Sequence, residues 1–241
     1  MSTSLPHDRA KVLKTLSQPK RVDSLRQQLV EILKEAIFSA KFQPGEALRE
    51  LPLARSFNVS QATVREALLH LQRLGLAVHV PNKGTSVTQL SSQEVRDRLR
   101  LRVVLEELAC LEACQRLGEE DFVQLEQLSR AISDSVARGG DFEIGQADLN
   151  FHRYIWDKSG NQILSNTLEQ LTTPLFAFVS LLRKFGLEDV IDKPHGPIVE
   201  ALRTRNPETV SDAIRAHIQG SYQAFLASGV NSLHLVIQGE R

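Results

Sequence analysis

The chain has 241 residues, 41% of them apolar, 5% aromatic and 24% charged, and its formal net charge is zero. That length accommodates two ordinary domains, each with a core of its own, and the bulk composition points neither to disorder nor to a nucleic-acid partner. Met1 to Lys20 lacks the apolar core of a signal peptide, and the longest apolar stretch, around Leu175 to Leu182, is far short of a membrane span, so a cytoplasmic protein with no membrane partner is expected.

The distribution of charge says more than the total. Residues 1–90 carry 13 Lys and Arg against 7 Asp and Glu, whereas the remainder carries 16 against 22. A basic N-terminal module suits a phosphate backbone, and an acidic remainder belongs away from it.

In chain order, residues 1–20 read as a flexible leader, and residues 21–90 as the first domain. Leu25, Leu29, Ile32, Leu33, Ala36 and Ile37 recur at helical spacing, which predicts a helix over 23–40 capped by Asp23 and ended by Gln43-Pro44-Gly45. A second, short helix is predicted from Arg49 to Phe57. Ser60 is a natural N-cap for a third, from Gln61 to about Leu74, with Val64, Ala67, Leu68 and Leu71 inward and Gly75 as its terminator. Ala77 to Val80 and Thr85 to Val87 then read as strands joined by Pro81-Asn82-Lys83-Gly84. Three helices followed by a hairpin make a winged helix-turn-helix.

The polar junction at 88–95 is expected to be an interdomain hinge. Beyond it, over 91–230, helical periodicity is broken at Gly118, Gly139-Gly140, Gly160-Asn161, Gly186, Pro194 to Pro197 and Asn206-Pro207. The fold class is therefore mainly α, the winged helix-turn-helix being followed by an all-α antiparallel bundle of about six helices, and residues 231–241 form a tail. Cys110 and Cys114, four apart in a helical pattern, suit small core residues better than a disulfide or a zinc site.

In a helix-turn-helix the second helix of the pair enters the major groove and its first turn meets base edges and phosphates. That turn is Ser60-Gln61-Ala62-Thr63, with Arg65 one step on. Arg49 in the preceding helix and Lys83 with Gly84 in the wing would add backbone contacts. Together the elements Phe42-Gln43-Pro44-Gly45, Leu48-Arg49-Glu50, Val64-Arg65-Glu66-Ala67-Leu68, Leu74-Gly75-Leu76 and Asn82-Lys83-Gly84-Thr85 resemble the DNA-binding domain of GntR-type bacterial regulators. The resemblance implies DNA contacts at Arg49, Ser60, Thr63, Arg65 and Gly84. It also implies altered base preference, because Gln61 stands where the family usually has an arginine that reads guanine, and glutamine pairs well with adenine.

In the second half, Asp148 and His152 lie four apart and share one helix face, while His217 lines up with Val210, Ala213, Ile214 and Ser221 on a buried face. One carboxylate with His152, His195 and His217 would suit Zn²⁺, Ni²⁺ or Mn²⁺, although dispersed histidines also serve as hydrogen-bonded core or surface residues. Asp148 to Ile155, followed by Ser159-Gly160-Asn161, is similar to the signature of the FCD effector domain of FadR-like GntR regulators, and His195, His217 and Arg102 match its remaining positions. What that implies is a metal on Asp148, His152, His195 and His217, Zn²⁺ before Ni²⁺ or Mn²⁺, and an organic-acid effector whose carboxylate Arg102 takes. Pro194 and Pro197 flank His195 and would start or kink its helix. His7 and His234 read as tail residues, and His70 and His79 as surface residues near the phosphate backbone.

The leading expectation is a homodimeric transcription regulator, a repressor, on a pseudo-palindromic operator, released by a small carboxylate. The alternatives are a metal-dependent hydrolase or lyase, with Glu106 or Glu107 as base, and a DNA-binding dimer with neither metal nor effector.

Overall fold

The computed structural model describes residues 25–184 and 194–227. The expected leader and tail, the Asp23 cap, the Gly186 break, the Ser221 side chain, His7 and His234 lie outside the described residues. The head comprises α1 (Leu25–Phe38), α2 (Glu50–Phe57), α3 (Gln61–Arg73) and the antiparallel strands β1 (Ala77–Val80) and β2 (Gly84–Val87). The body comprises α4 (Ser92–Cys114), α5 (Glu119–Arg138), α6 (Asp141–Lys158), α7 (Gln162–Lys184), α8 (Gly196–Thr204) and α9 (Pro207–Ala227). Among the described residues no helix is long and apolar enough to cross a membrane.

Local chemistry fixes most boundaries. Ser60 caps α3 by accepting from the Thr63 amide at 3.0 Å, and Ser91 and Glu94 form a reciprocal capping box at the start of α4. Asn58 and Gly139, both left-handed, end α2 and α5. The second strand begins at Gly84, one residue before the expected Thr85, because Gly84 supplies the positive φ that closes the turn. A third extended segment stiffens the wing, with Leu48 N donating to Thr85 O and Val87 N to Glu46 O.

The junction at 88–95, expected as a hinge, is packed in this structure. Thr88 donates its hydroxyl to Gly75 O and its amide to Leu76 O, and Leu90 is buried. Head and body also share one apolar cluster, in which Leu33, Phe38, Leu71 and Leu76 of the head join Trp156 of α6 and Leu168, Phe176 and Ala177 of α7. Burying that surface is worth about 25 cal/mol per Å², so separating the domains would expose a core and not merely bend a linker.

Helix α7 runs between the two units and is buried almost all round from Thr172 to Leu182. Pro174 lies inside it, where it cannot donate to the carbonyl of Gln170. Arg98 of α4 bonds the Leu171 carbonyl at 2.8 Å and the Gln170 carbonyl at 3.4 Å. Gly75 meets the same place. A Cβ there would stand 2.8 Å from Gln170 O and 2.9 Å from Pro174 Cγ, and its φ is +74°. Gly75 thus ends α3 and also lets the head seat on α7. Gly75→Ala is expected to cost about 1–3 kcal/mol from the strained backbone alone, with the clash added to it. The check is chemical denaturation, in which a loss under 0.5 kcal/mol would contradict the close seating.

Candidate DNA interface and candidate metal centre

The first turn of α3 projects from the head. Gln61, Ala62 and Arg65 are exposed, and Thr63 is half-buried because its hydroxyl lies 2.8 Å from that of Ser60. Val64, Ala67, Leu68 and Leu71 point into the core, as their spacing predicts. Arg49 occupies the N-cap of α2, exposed and without a cap bond from its side chain, and Lys83 and Gly84 are exposed at the wing tip. The backbone and hydroxyl donors of one turn, two cations and a hairpin tip therefore face solvent from one unit.

Arg65 is more constrained than its sequence position suggests. Its Nε and Nη2 donate to the two carboxylate oxygens of Glu50 at 2.9 and 2.7 Å, a bidentate pair that bridges α2 and α3. Arg65 therefore faces solvent with its fork engaged by Glu50. That partner was not foreseen, although Leu48-Arg49-Glu50 and Val64-Arg65-Glu66 stand in the sequence. His79 is exposed on β1, but His70 departs from expectation. It sits half-buried near the end of α3, beside Arg26 and Glu31 of α1, and burial, with Arg73 and Arg26, holds its pKa below the usual histidine value.

In the body, three helices deliver one polar cluster. Asp148 and His152 face inward from α6, His195 is the N-cap of α8, and His217 comes from α9. His195 Nε2 lies 2.9 Å from Asp148 Oδ1, and His152 Nε2 lies 3.4 Å from the same oxygen. The donor nitrogens of His152, His195 and His217 all fall within 4.8 Å of one another. Pro194 and Pro197 start α8 and do not kink it. Pro197 occupies the first turn, where no amide is needed, so His195 reaches the cluster.

Electrostatics keeps the group ready for a cation. Burial alone would raise the Asp148 carboxyl, but His195 and His152 outweigh it and hold its pKa well below the usual carboxylate range. Burial, with the charges of His152 and His195, pushes His217 down to about 2, so its ring is neutral and keeps a lone pair. From α4, Arg102 Nε donates to Glu106 Oε1 at 2.5 Å, and Glu106 Oε2 accepts from His152 Nδ1 at 2.6 Å. Burial opposes the charge on Glu106, yet Arg102 and His152 keep its pKa well below the usual range, so the carboxylate only accepts. His152 therefore carries a proton on Nδ1; burial lowers its pKa, but Glu106 and Asp148 outweigh burial and raise it above the usual histidine value, so a metal at Nε2 would displace a proton. Its Nε2 is fully buried and makes no hydrogen bond. A buried ring nitrogen 3.4 Å from a carboxylate oxygen and close to two further imidazoles fits a divalent cation of the Zn²⁺, Ni²⁺ or Mn²⁺ type.

The comparisons agree with this two-part design. Residues 25–87 match the family model for bacterial regulatory proteins of the gntR family, and residues 97–220 match that for the FCD domain. The chain belongs to the GntR family, with an FCD domain as its body. It is 32% identical to the uncharacterised HTH-type transcriptional regulator YdhC of Bacillus subtilis, over 79% of this chain and 86% of the relative. It is also 28% identical to the HTH-type transcriptional repressor RspR of Escherichia coli, over 81% and 86%. The solved structure of E. coli McbR/YncC superposes with a TM-score of 0.68 at 22% identity, covering 84% of this chain and 99% of that one, and so shares the fold. As a GntR protein the chain is a DNA-binding transcription regulator. Neither family is one of enzymes, and the carboxylates advanced as a base are otherwise engaged: Glu106 by Arg102 and His152, Glu107 by a bidentate pair with Arg215 at 2.6 and 2.7 Å. Cys110 and Cys114 are fully buried free thiols in the body core.

Ser60 caps the exposed turn, so Ser60→Ala is expected to destabilise the head by about 1 kcal/mol. It should leave the body unfolding at its usual temperature only if the two units melt separately. The shared core predicts a single shifted transition in calorimetry, and two transitions would contradict it.

Proposed function

We propose that the chain is a homodimeric repressor that binds a pseudo-palindromic operator in the cytoplasm and leaves it when a small carboxylate occupies a metal-bearing pocket in the body. The observation that carries this reading is the convergence of Asp148, His152, His195, His217 and Arg102 within the body of a chain whose head exposes a reading turn. The relative named as a repressor supports the sign of control.

Arg49, Ser60, Gln61, Thr63, Arg65, Lys83 and Gly84 form the DNA-facing set. Ser60, Thr63 and the amides of the first turn of α3 suit phosphate, as do Arg49, Lys83 and the Gly84 backbone, whereas Gln61 reaches a base edge. Arg65 is oriented by Glu50. A glutamine at that point favours adenine, and a bidentate contact is worth about 1–3 kcal/mol. Operator selection with the Gln61→Arg protein should therefore move preference at one position of each half-site toward guanine. Unchanged selection would remove Gln61 from the reading set.

Asp148, His152, His195 and His217 would hold the metal, Zn²⁺ foremost, and the metal when bound supplies a Lewis-acid position for a carboxylate oxygen. Arg102 is buried with its guanidinium carbon 4.8 Å from the centre of the Phe176 ring, which orients it for the other end of the carboxylate. Ligand binding to the folded state alone stabilises by about 2.7 kcal/mol at a hundred times Kd. Chelation should accordingly lower the melting temperature by several degrees, and Zn²⁺ should restore it. Asp148→Ala and His217→Ala should abolish both effects. Equal melting with and without chelator would favour a dimer whose histidines are structural. A screen of small carboxylic acids for release of operator DNA identifies the effector.

Dimerisation is supported by α4, where Leu101, Val104 and Leu108 are exposed at helical spacing along one stripe. Val104→Glu should shift the protein to monomer in analytical ultracentrifugation and weaken operator binding at least tenfold, while the isolated protomer keeps its helical spectrum.

A further inference from the structure

Glu106 stands outside the expected ligand set, yet it is the group that joins the two parts of the site. Its side chain is 1% exposed and each oxygen accepts from one neighbour, Arg102 on one side and His152 on the other. The bond to Arg102 is made through Nε, so the two terminal amino groups of the guanidinium are not engaged by it. Arg102 lies one helical turn before Glu106 on α4, and His152 comes from α6, so one carboxylate spans two helices.

We infer that Glu106 is a positioning residue that sets metal affinity and carboxylate affinity against each other, orienting His152 toward the metal while it partly neutralises Arg102. This deepens the reading of the site given above and rests on it. A carboxylate can only accept, so Glu106 fixes a proton of His152 on Nδ1 and leaves Nε2 as the ring atom turned toward Asp148, His195 and His217. An anionic partner on the far ring nitrogen makes a metal-binding imidazole a better donor, and losing such a partner typically costs 10–100-fold in affinity. The same negative charge, in a water-poor site, reduces the pull of Arg102 on any second carboxylate. A ligand carboxylate that pairs with the terminal amino groups of Arg102 thus shares a cation with Glu106, and Glu106 feels that competition at His152.

The two effects have opposite signs, which separates this role from space-filling. In Glu106→Gln the amide keeps the shape and can still accept from His152, but the charge is gone. Zinc affinity, measured by competition with a chromophoric chelator, should fall roughly 10–100-fold. In the zinc-saturated variant, acetate followed by calorimetry should bind several-fold more tightly than in the zinc-saturated parent. In Arg102→Met, Glu106 is left wholly to His152, so zinc affinity should equal or exceed that of the parent and the acetate response should vanish. Because Glu106→Gln leaves Arg102 buried beside a neutral group, circular dichroism checks its folding, and Arg102→Met decides the matter if it does not fold. Unchanged zinc affinity in Glu106→Gln, acetate binding no tighter than the parent's, or a tenfold loss of zinc affinity in Arg102→Met would each overturn the inference while leaving the metal reading in place. A parent protein that takes up no zinc would overturn the metal reading itself, and this inference with it.

Discussion

A carboxylate with 1% of its side chain exposed keeps its charge only if cations or strong donors close around it, and Glu106 imposes that condition on the body of this regulator. Arg102 must come from its own helix and His152 from α6; Asp148, under the same constraint, needs His195 from the start of α8. Desolvating such groups costs several kcal/mol each, and breaking a buried pair by removing one partner typically costs 3–5 kcal/mol. The polar cluster therefore fixes the rotation of α4, α6 and α8 about their axes. The apolar residues around it, Phe151 edge-on to His195 at 4.7 Å among them, supply most of the burial but would tolerate other arrangements.

Elements were legible in the sequence where local chemistry decides them. Ser60, Asn58 and the Gly84 turn act through bonds and dihedrals within a few neighbouring residues and need no tertiary partner, so most boundaries of the head are legible in the sequence. What the chain could not disclose was which faces meet. The polar look of residues 88–95 suggested a hinge, yet Thr88 is spent on Gly75 and Leu76, and Leu90 is buried. The apolar run around Leu175 to Leu182 had no evident use until α7 was seen to lie between head and body with both sides covered.

The site divides in the same way. Asp148 and His152 share a face because four residues make about one turn, and that is visible in any helical pattern. His195 is different: it serves as an N-cap between two prolines, so helical periodicity says nothing of where its ring goes. Glu106 and Glu50 escaped notice as partners because a glutamate on a helix is ordinarily solvated. Only the approach of Arg102 and His152 in one case, and Arg65 in the other, gives them meaning. Family resemblance implies a ligand set that spacing alone leaves open, while the acceptor behind His152 is visible only in the folded chain.

The shared core also decides how occupancy of the lower site can matter to the upper one. The ring of His152 lies 6.0 Å from that of Phe176 and 6.3 Å from that of Trp156. Both belong to the apolar cluster that includes Leu33, Phe38 and Leu71 of the head. A head on a loose tether would feel nothing of a ligand at His152, whereas a head seated on α7 through Gly75 and Pro174 stands on the same packed residues that line the site. Close-packed interiors have discrete arrangements and do not yield continuously. An effector that favours one packing of Phe176 and Trp156 over another by about 1–3 kcal/mol would therefore bias the seating of the head by at most that amount, and whatever fixes the seating would favour the effector equally in return.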